Sequence, residues 1–127
     1  MTKELKHLLE IAKEASHKAY SPYSGFKVGS AVLCTNGEIF SGCNVENSSY
    51  SLTLCAERTA IFKAVSEGNK EFRAIAIYVD DDKLFPPCGA CRQVISEFST
   101  SLPVVYANRN EIVESTISEL LPGAFRL

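Results

Sequence analysis

The chain lacks any excess of positive charge. Thirteen Lys and Arg stand against fifteen Asp and Glu, a net charge of -2, and the two signs are interspersed. No basic face is available to release counterions from a nucleic-acid backbone or to dock on an anionic membrane, so polymeric nucleic acid is not an expected partner. Long apolar runs are missing as well. Met1 to His7 alternates charged and apolar residues, unlike a signal peptide, and no later segment approaches membrane-spanning length. These absences predict a cytoplasmic protein with no membrane partner. Five cysteines make an odd count, and without an export signal they read as thiols or metal ligands instead of a disulfide framework. No repeat, linker or low-complexity segment breaks the 127 residues, of which 46% are apolar and 22% charged, so one compact domain spanning 1–127 is expected.

Hydrophobic spacing orders the elements. Leu5, Leu8, Leu9, Ala12, Ala15 and Ala19 recur at intervals of three and four, which predicts an amphipathic helix over 3–19, ended by Ser21-Pro22-Tyr23-Ser24-Gly25. Strand-like runs over 26–35 and 38–45 flank Asn36-Gly37, a pair suited to a tight hairpin turn. A polar loop over 46–51 precedes a second helix that carries Ala56, Ala60, Ile61, Ala64 and Val65, stops near Gly68-Asn69, and has Cys55 at its start. The continuously apolar run 74–79 predicts a central strand covered on both faces. Pro86 and Pro87 exclude helix before Cys88, and Val94, Ile95 and Phe98 continue a helix to about Ser99. A strand over 102–106 follows, and 112–121 is open between a last strand and a short helix. The order α-β-β-α-β-α-β suggests a mixed sheet with helices on both faces, a three-layer α/β domain.

Cysteine spacing carries the chemistry. Cys88 and Cys91, two residues apart at a helix start, can face one ion, and the helix dipole favours their thiolates. Cys55 offers a third sulfur. Structural zinc sites close with four protein ligands, whereas catalytic ones commonly keep three and an open position. Glu57 could be a fourth ligand or a surface residue stabilising its helix N-terminus, but the whole constellation favours a general acid/base beside bound water. Arg58, three positions after Cys55, either folds back toward the sulfurs to balance their charge or lies in solvent. Cys34 and Cys43 fall in apolar strand patterns and read as small buried side chains. Were Cys43 to complete a four-sulfur shell, the chain would be a structural zinc module without enzymatic activity. His7 and His17 read as solvated or interfacial, and Asp80-Asp81-Asp82-Lys83 as a solvated turn without the pattern of an EF-hand loop.

Five blocks in order, over nearly the whole chain, resemble the zinc-dependent cytidine deaminases of the short, homotetrameric type. They are the opening Tyr20-Ser21-Pro22-Tyr23-Ser24-Gly25-Phe26, then Gly42-Cys43-Asn44-Val45-Glu46 continuing to Tyr50, Cys55-Ala56-Glu57-Arg58, Pro87-Cys88-Gly89-Ala90-Cys91-Arg92-Gln93, and Leu121-Pro122-Gly123-Ala124-Phe125. Ser30 departs from the alanine common in the opening block. The resemblance implies a three-layer α/β/α domain with a mixed five-stranded sheet and one zinc per subunit, held by Cys55, Cys88 and Cys91. It implies that zinc-bound hydroxide attacks C4 of cytidine or 2′-deoxycytidine while Glu57 carries the water proton to N3 and assists departure of ammonia, the reaction of pyrimidine salvage.

By the same resemblance Asn44 and Glu46 hold the sugar hydroxyls and Phe26 packs on the base. Tyr50, Ala56 through its backbone, and Phe125 contribute further contacts, with Tyr50 and Phe125 in sites shared between subunits of a homotetramer. Arg58 stands behind the ligands. The bland alternatives remain that Asn44 and Glu46 are turn residues and that Phe26 and Phe125 anchor core and tail. Tyr20, Tyr23 and the nearby serines read as a loop over the pocket entrance. A blasticidin-type aminonucleoside deaminase would share the metal motif.

Overall fold

The apolar run that predicts a central strand lies in the middle of the sheet. In the computed structural model, which describes residues 1–127, the strands β1 (Val28–Cys34), β2 (Ile39–Cys43), β3 (Phe72–Val79), β4 (Pro103–Ala107) and β5 (Ile112–Thr116) form one sheet of order β2-β1-β3-β4-β5. Only β3 and β4 are parallel; the other neighbours are antiparallel. Four helices complete the chain: α1 (Lys3–Ser16), α2 (Ala56–Ser66), α3 (Gly89–Phe98) and α4 (Ile117–Leu120). The segment open between strand and helix contains both, β5 and then α4.

Side-chain alternation along β3 divides the interior into two layers. Ile75 and Ile77 face Ala60, Ile61 and Ala64 of α2, Ile95 of α3 and Ile117 of α4. Ala74, Ala76 and Tyr78 face Leu8, Leu9 and Ala12 of α1. This is the expected three-layer arrangement, and each large aliphatic side chain fully withdrawn from water contributes roughly 1.5–3 kcal/mol. Ser30 lies buried in β1, and its hydroxyl donates to Ala76 O at 2.8 Å, so the departure at this position leaves no polar group unpaired.

Two local expectations change. The first helix ends at Ser16, not Ala19, because the next residues are drawn into a bridge with the segment after β2: Tyr20 N–H donates to Asn44 O at 3.0 Å and Glu46 N–H to Tyr20 O at 2.9 Å. Two long-range hydrogen bonds outweigh a helical periodicity carried only by alanines. The hairpin turn is a three-residue loop. Gly37 alone has positive φ, 92°, and Cys34 N–H still reaches Glu38 O at 2.8 Å, as in a type I turn closed by a left-handed glycine.

Close approach explains two glycines inside strands. A Cβ on Gly29 would lie 1.9 Å from Ala12 O and 2.4 Å from Ser16 N of α1, and one on Gly42 would lie 2.7 Å from Ala60 N of α2. Both contacts are backbone and cannot yield by rotamer change. Gly29→Ala should therefore destabilise the fold by about 3 kcal/mol or more. An unchanged urea midpoint for this variant would show that α1 is free to move away from β1.

Candidate metal centre

One end of the sheet collects the chemistry. Register pairs Val28 with Val79 and Gly29 with Cys43, so the chain entering β1, the chain leaving β2 and the chain leaving β3 emerge side by side. Carboxyl ends of strands at such a crossing are common ligand sites. Val45 and Leu54 then exchange two backbone hydrogen bonds of 2.9 Å each, which tie the residues on either side, Asn44, Glu46 and Cys55, into one patch. Cys55 occupies the N-cap of α2 and Cys88 the N-cap of α3, so both helix N-termini meet there. Neither sulfur caps its own helix.

The ligand atoms of Cys55, Cys88 and Cys91 all lie within 4.8 Å of one another, with Cys55 Sγ and Cys88 Sγ 3.7 Å apart. Tetrahedral zinc with sulfurs at 2.3 Å requires an S···S separation of about 3.8 Å, so the preformed spacing fits that ion. Cys43 is outside the cluster. It is half-buried, not buried as its strand pattern predicts, and its thiol donates to Lys18 O at 3.4 Å. It is the last residue of the edge strand β2, and with its sulfur outside the cluster it does not supply the fourth ligand of a structural shell. Cys34 is fully buried as expected.

Charge at the sulfurs is balanced within the chain. Arg58 Nη2 donates to Cys55 Sγ at 3.2 Å, which decides between its two sequence readings. A hydrogen bond from the Cys91 thiol and the Arg58 guanidinium outweigh burial and lower Cys55 to about 5, while the same hydrogen bond and burial push Cys91 up. In the metal-free cluster the thiolate is thus favoured at Cys55 over Cys91, and an incoming cation displaces thiol protons. Arg58 is itself held charged by the Cys55 sulfur.

A cavity of about 310 Å³ opens beside the cluster, within the range of small-molecule sites. Cys55, Cys88, Glu57, Ala56, Phe26, Asn44, Glu46 and Tyr50 line it, whereas Cys91 is fully buried. Glu57 is only 4% exposed, and burial, with the Cys55 charge adding to it, raises its carboxyl to about 7 despite its own backbone N–H. A group at that value can both take and return a proton near neutrality. Glu46 and Asn44 are buried too, and their polar groups are bonded to the chain entering β1: Asn44 Nδ2 donates to Phe26 O at 2.8 Å and Asn44 Oδ1 accepts from Val28 N at 3.0 Å.

Phe125 does not join these residues. It is 68% exposed and lies outside the cavity of its own chain, with its carbonyl accepting from Gln93 Nε2 at 3.1 Å. Tyr50 lines the cavity of its own chain yet is largely exposed. Sequence reasoning did not single out Phe85, whose ring meets Phe26 edge-on with centroids 4.8 Å apart and completes the apolar wall. Its place three residues before Cys88 was the available signal. The Asp80–Lys83 turn is ion-paired as well as solvated, since Arg109 reaches Asp80 at 3.0 Å and Asp82 at 3.7 Å. His7 and His17 are exposed and are not part of the cluster. No helix is long and apolar enough to cross a membrane.

Comparison with known proteins agrees with this geometry. A cytidine deaminase of Sporosarcina psychrophila is 52% identical over 124 residues, covering 96% of this chain and 91% of that protein. The crystal structure of cytidine deaminase from Burkholderia pseudomallei superposes with a TM-score of 0.90 at 47% identity, covering 98% of this chain and 100% of that one. A more distant relative, a Blasticidin-S deaminase of Bacillus cereus, is 35% identical over 124 residues, covering 90% of this chain and 89% of that protein. The profile of the cytidine and deoxycytidylate deaminase zinc-binding region matches residues 2–107, which include all three clustered cysteines. The chain belongs to the cytidine and deoxycytidylate deaminase family, and its three cysteines are placed to bind the zinc ion of that family.

Proposed function

We propose that the protein hydrolyses cytidine and 2′-deoxycytidine to the uridine counterparts with release of ammonia. The observation that carries this reading is the buried Glu57 carboxyl, which shares one small cavity with the Cys55 and Cys88 thiols. Zinc, when bound, supplies a Lewis acid that makes water a nucleophile at neutral pH. Glu57 accepts the proton that water loses on attack at C4 and places it on N3. It then takes the remaining hydroxyl proton and delivers it to the amine, so that ammonia leaves and the carbonyl of uridine forms. Arg58 keeps Cys55 in its charged form, and Phe26 with Phe85 offers an apolar wall for the flat base. Glu46 and Asn44 present acceptor and donor groups to the sugar, with Ala56 available through its backbone.

The small cavity and the balanced surface charge favour a free nucleoside over a polynucleotide. We further assign residues 1–127 to one catalytic domain acting in the cytoplasm in pyrimidine salvage, assembled as a homotetramer in which the outlying Phe125 serves a neighbouring subunit's cavity and Tyr50 stands where such a site is shared between subunits. The exposure of Phe125 outside its own cavity supports that sharing. Incubating zinc-loaded protein with cytidine should produce the ultraviolet shift of uridine without any coupling enzyme. Turnover of blasticidin S with cytidine untouched would replace the nucleoside reading with the aminonucleoside one.

A further inference from the structure

Glu46 has an unusual set of partners for a carboxylate that is 5% exposed: none of the salt bridges includes it. Its charge is met by the loop entering β1. Tyr23 N–H donates to Oε1 at 2.9 Å, Ser24 N–H donates to Oε1 at 3.1 Å, and the Ser24 hydroxyl donates to Oε2 at 2.5 Å. Burial raises the carboxyl, but the Ser24 and Tyr23 hydrogen bonds outweigh it and hold it below the usual carboxylate range. An ionised carboxylate offers about four acceptor sites and no donor. Three are filled, and Glu46 lines the cavity, so the remaining site selects a donor such as a hydroxyl.

Ser24 also looks the other way. Its Oγ accepts from Phe26 N–H at 3.1 Å, while the Phe26 carbonyl accepts from Asn44. One hydroxyl therefore joins the backbone of the aromatic wall to the buried carboxylate. We propose that Ser24 is a positioning residue for sugar recognition, fixing Glu46 so that its last acceptor site takes a hydroxyl of the nucleoside sugar. This rests on the nucleoside reading of the cavity. A serine that merely shapes its own turn would bond Phe26 N–H without needing Glu46.

The experiment compares Ser24→Ala, Ser24→Thr and the parent, zinc-loaded, on cytidine, 2′-deoxycytidine and 2′,3′-dideoxycytidine. Ser24 is exposed, so loss of its hydroxyl leaves the core intact, and zinc content with thermal unfolding verifies each variant. Ser24→Ala should raise KM for cytidine roughly tenfold with kcat within about twofold, and Ser24→Thr should restore it. The preference for cytidine over the dideoxy analogue should shrink by the same factor, because enzyme hydroxyl and substrate hydroxyl are coupled through Glu46. Equal losses on all three substrates, or a fall in kcat alone, would overturn the proposal in favour of a turn-shaping role. Should Ser24→Ala lose zinc or fold, Ser24→Cys, similar in size and a weaker donor, gives the same comparison. Glu46→Gln separates the underlying reading: if the parent and this variant both treat the three nucleosides alike, no sugar hydroxyl is read at Glu46 and both ideas fall together.

Discussion

Glu57→Gln should retain one zinc per chain and an unchanged fold, yet lose cytidine turnover by roughly a thousandfold or more. The side chain is buried, and the amide matches its volume, so neither a cavity nor an unpaired charge is created. What disappears is the ability to exchange a proton, a contribution of about 10²–10⁴ for a positioned acid or base, used here for more than one transfer. Stability should move the other way. Burial lifts the Glu57 carboxyl from 4.5 to about 7, so the unfolded chain ionises first and the metal-free parent loses stability as pH rises through that interval. The amide lacks this penalty, and metal-free Glu57→Gln should be at least as stable as the parent at pH 7.5. Zinc analysis, steady-state kinetics and urea titration together check the claim; near-parental turnover would remove Glu57 from the reaction.

Cys91→Ala should abolish both metal retention and activity. Cys91 is fully buried at the first turn of α3, with its sulfur in the cluster that fits tetrahedral zinc. Removing it leaves only two sulfurs, and the loss of zinc affinity should exceed the roughly 10–100-fold that follows deletion of an outer hydrogen-bond partner. Cys43→Ala is the control, because its sulfur lies outside the cluster; metal and turnover should remain at parental levels. A chelator challenge read by released zinc distinguishes the two variants. Zinc loss from Cys43→Ala with retention in Cys91→Ala would invert the ligand assignment.

Helix starts were legible because they depend on local chemistry. Two prolines before Cys88 and the stripe after Cys55 place both cysteines at helix starts without any knowledge of the sheet. The central strand was legible for a similar reason, since a doubly covered strand needs a continuous apolar run. Less visible was the end of α1. Alanine spacing continues past Ser16, but hydrogen bonds from Tyr20 to residues more than twenty positions away end the helix. Cys43 shows the same limit: its pattern fits burial, while the edge position of β2 leaves it half-exposed.

The cysteine spacing, charge balance and element order were determined by the sequence itself, because ligand type, helix capping and periodicity act within a few residues. The direction of Arg58, the ring of Phe85 against Phe26, the outlying position of Phe125 and the grip of Ser24 on Glu46 were decided only by tertiary structure. The Phe85–Phe26 contact and the grip of Ser24 on Glu46 depend on the register that pairs Val28 with Val79 and Gly29 with Cys43, bringing three distant segments to one end of the sheet. Strand register is set by the packing of whole faces, and no single motif encodes it.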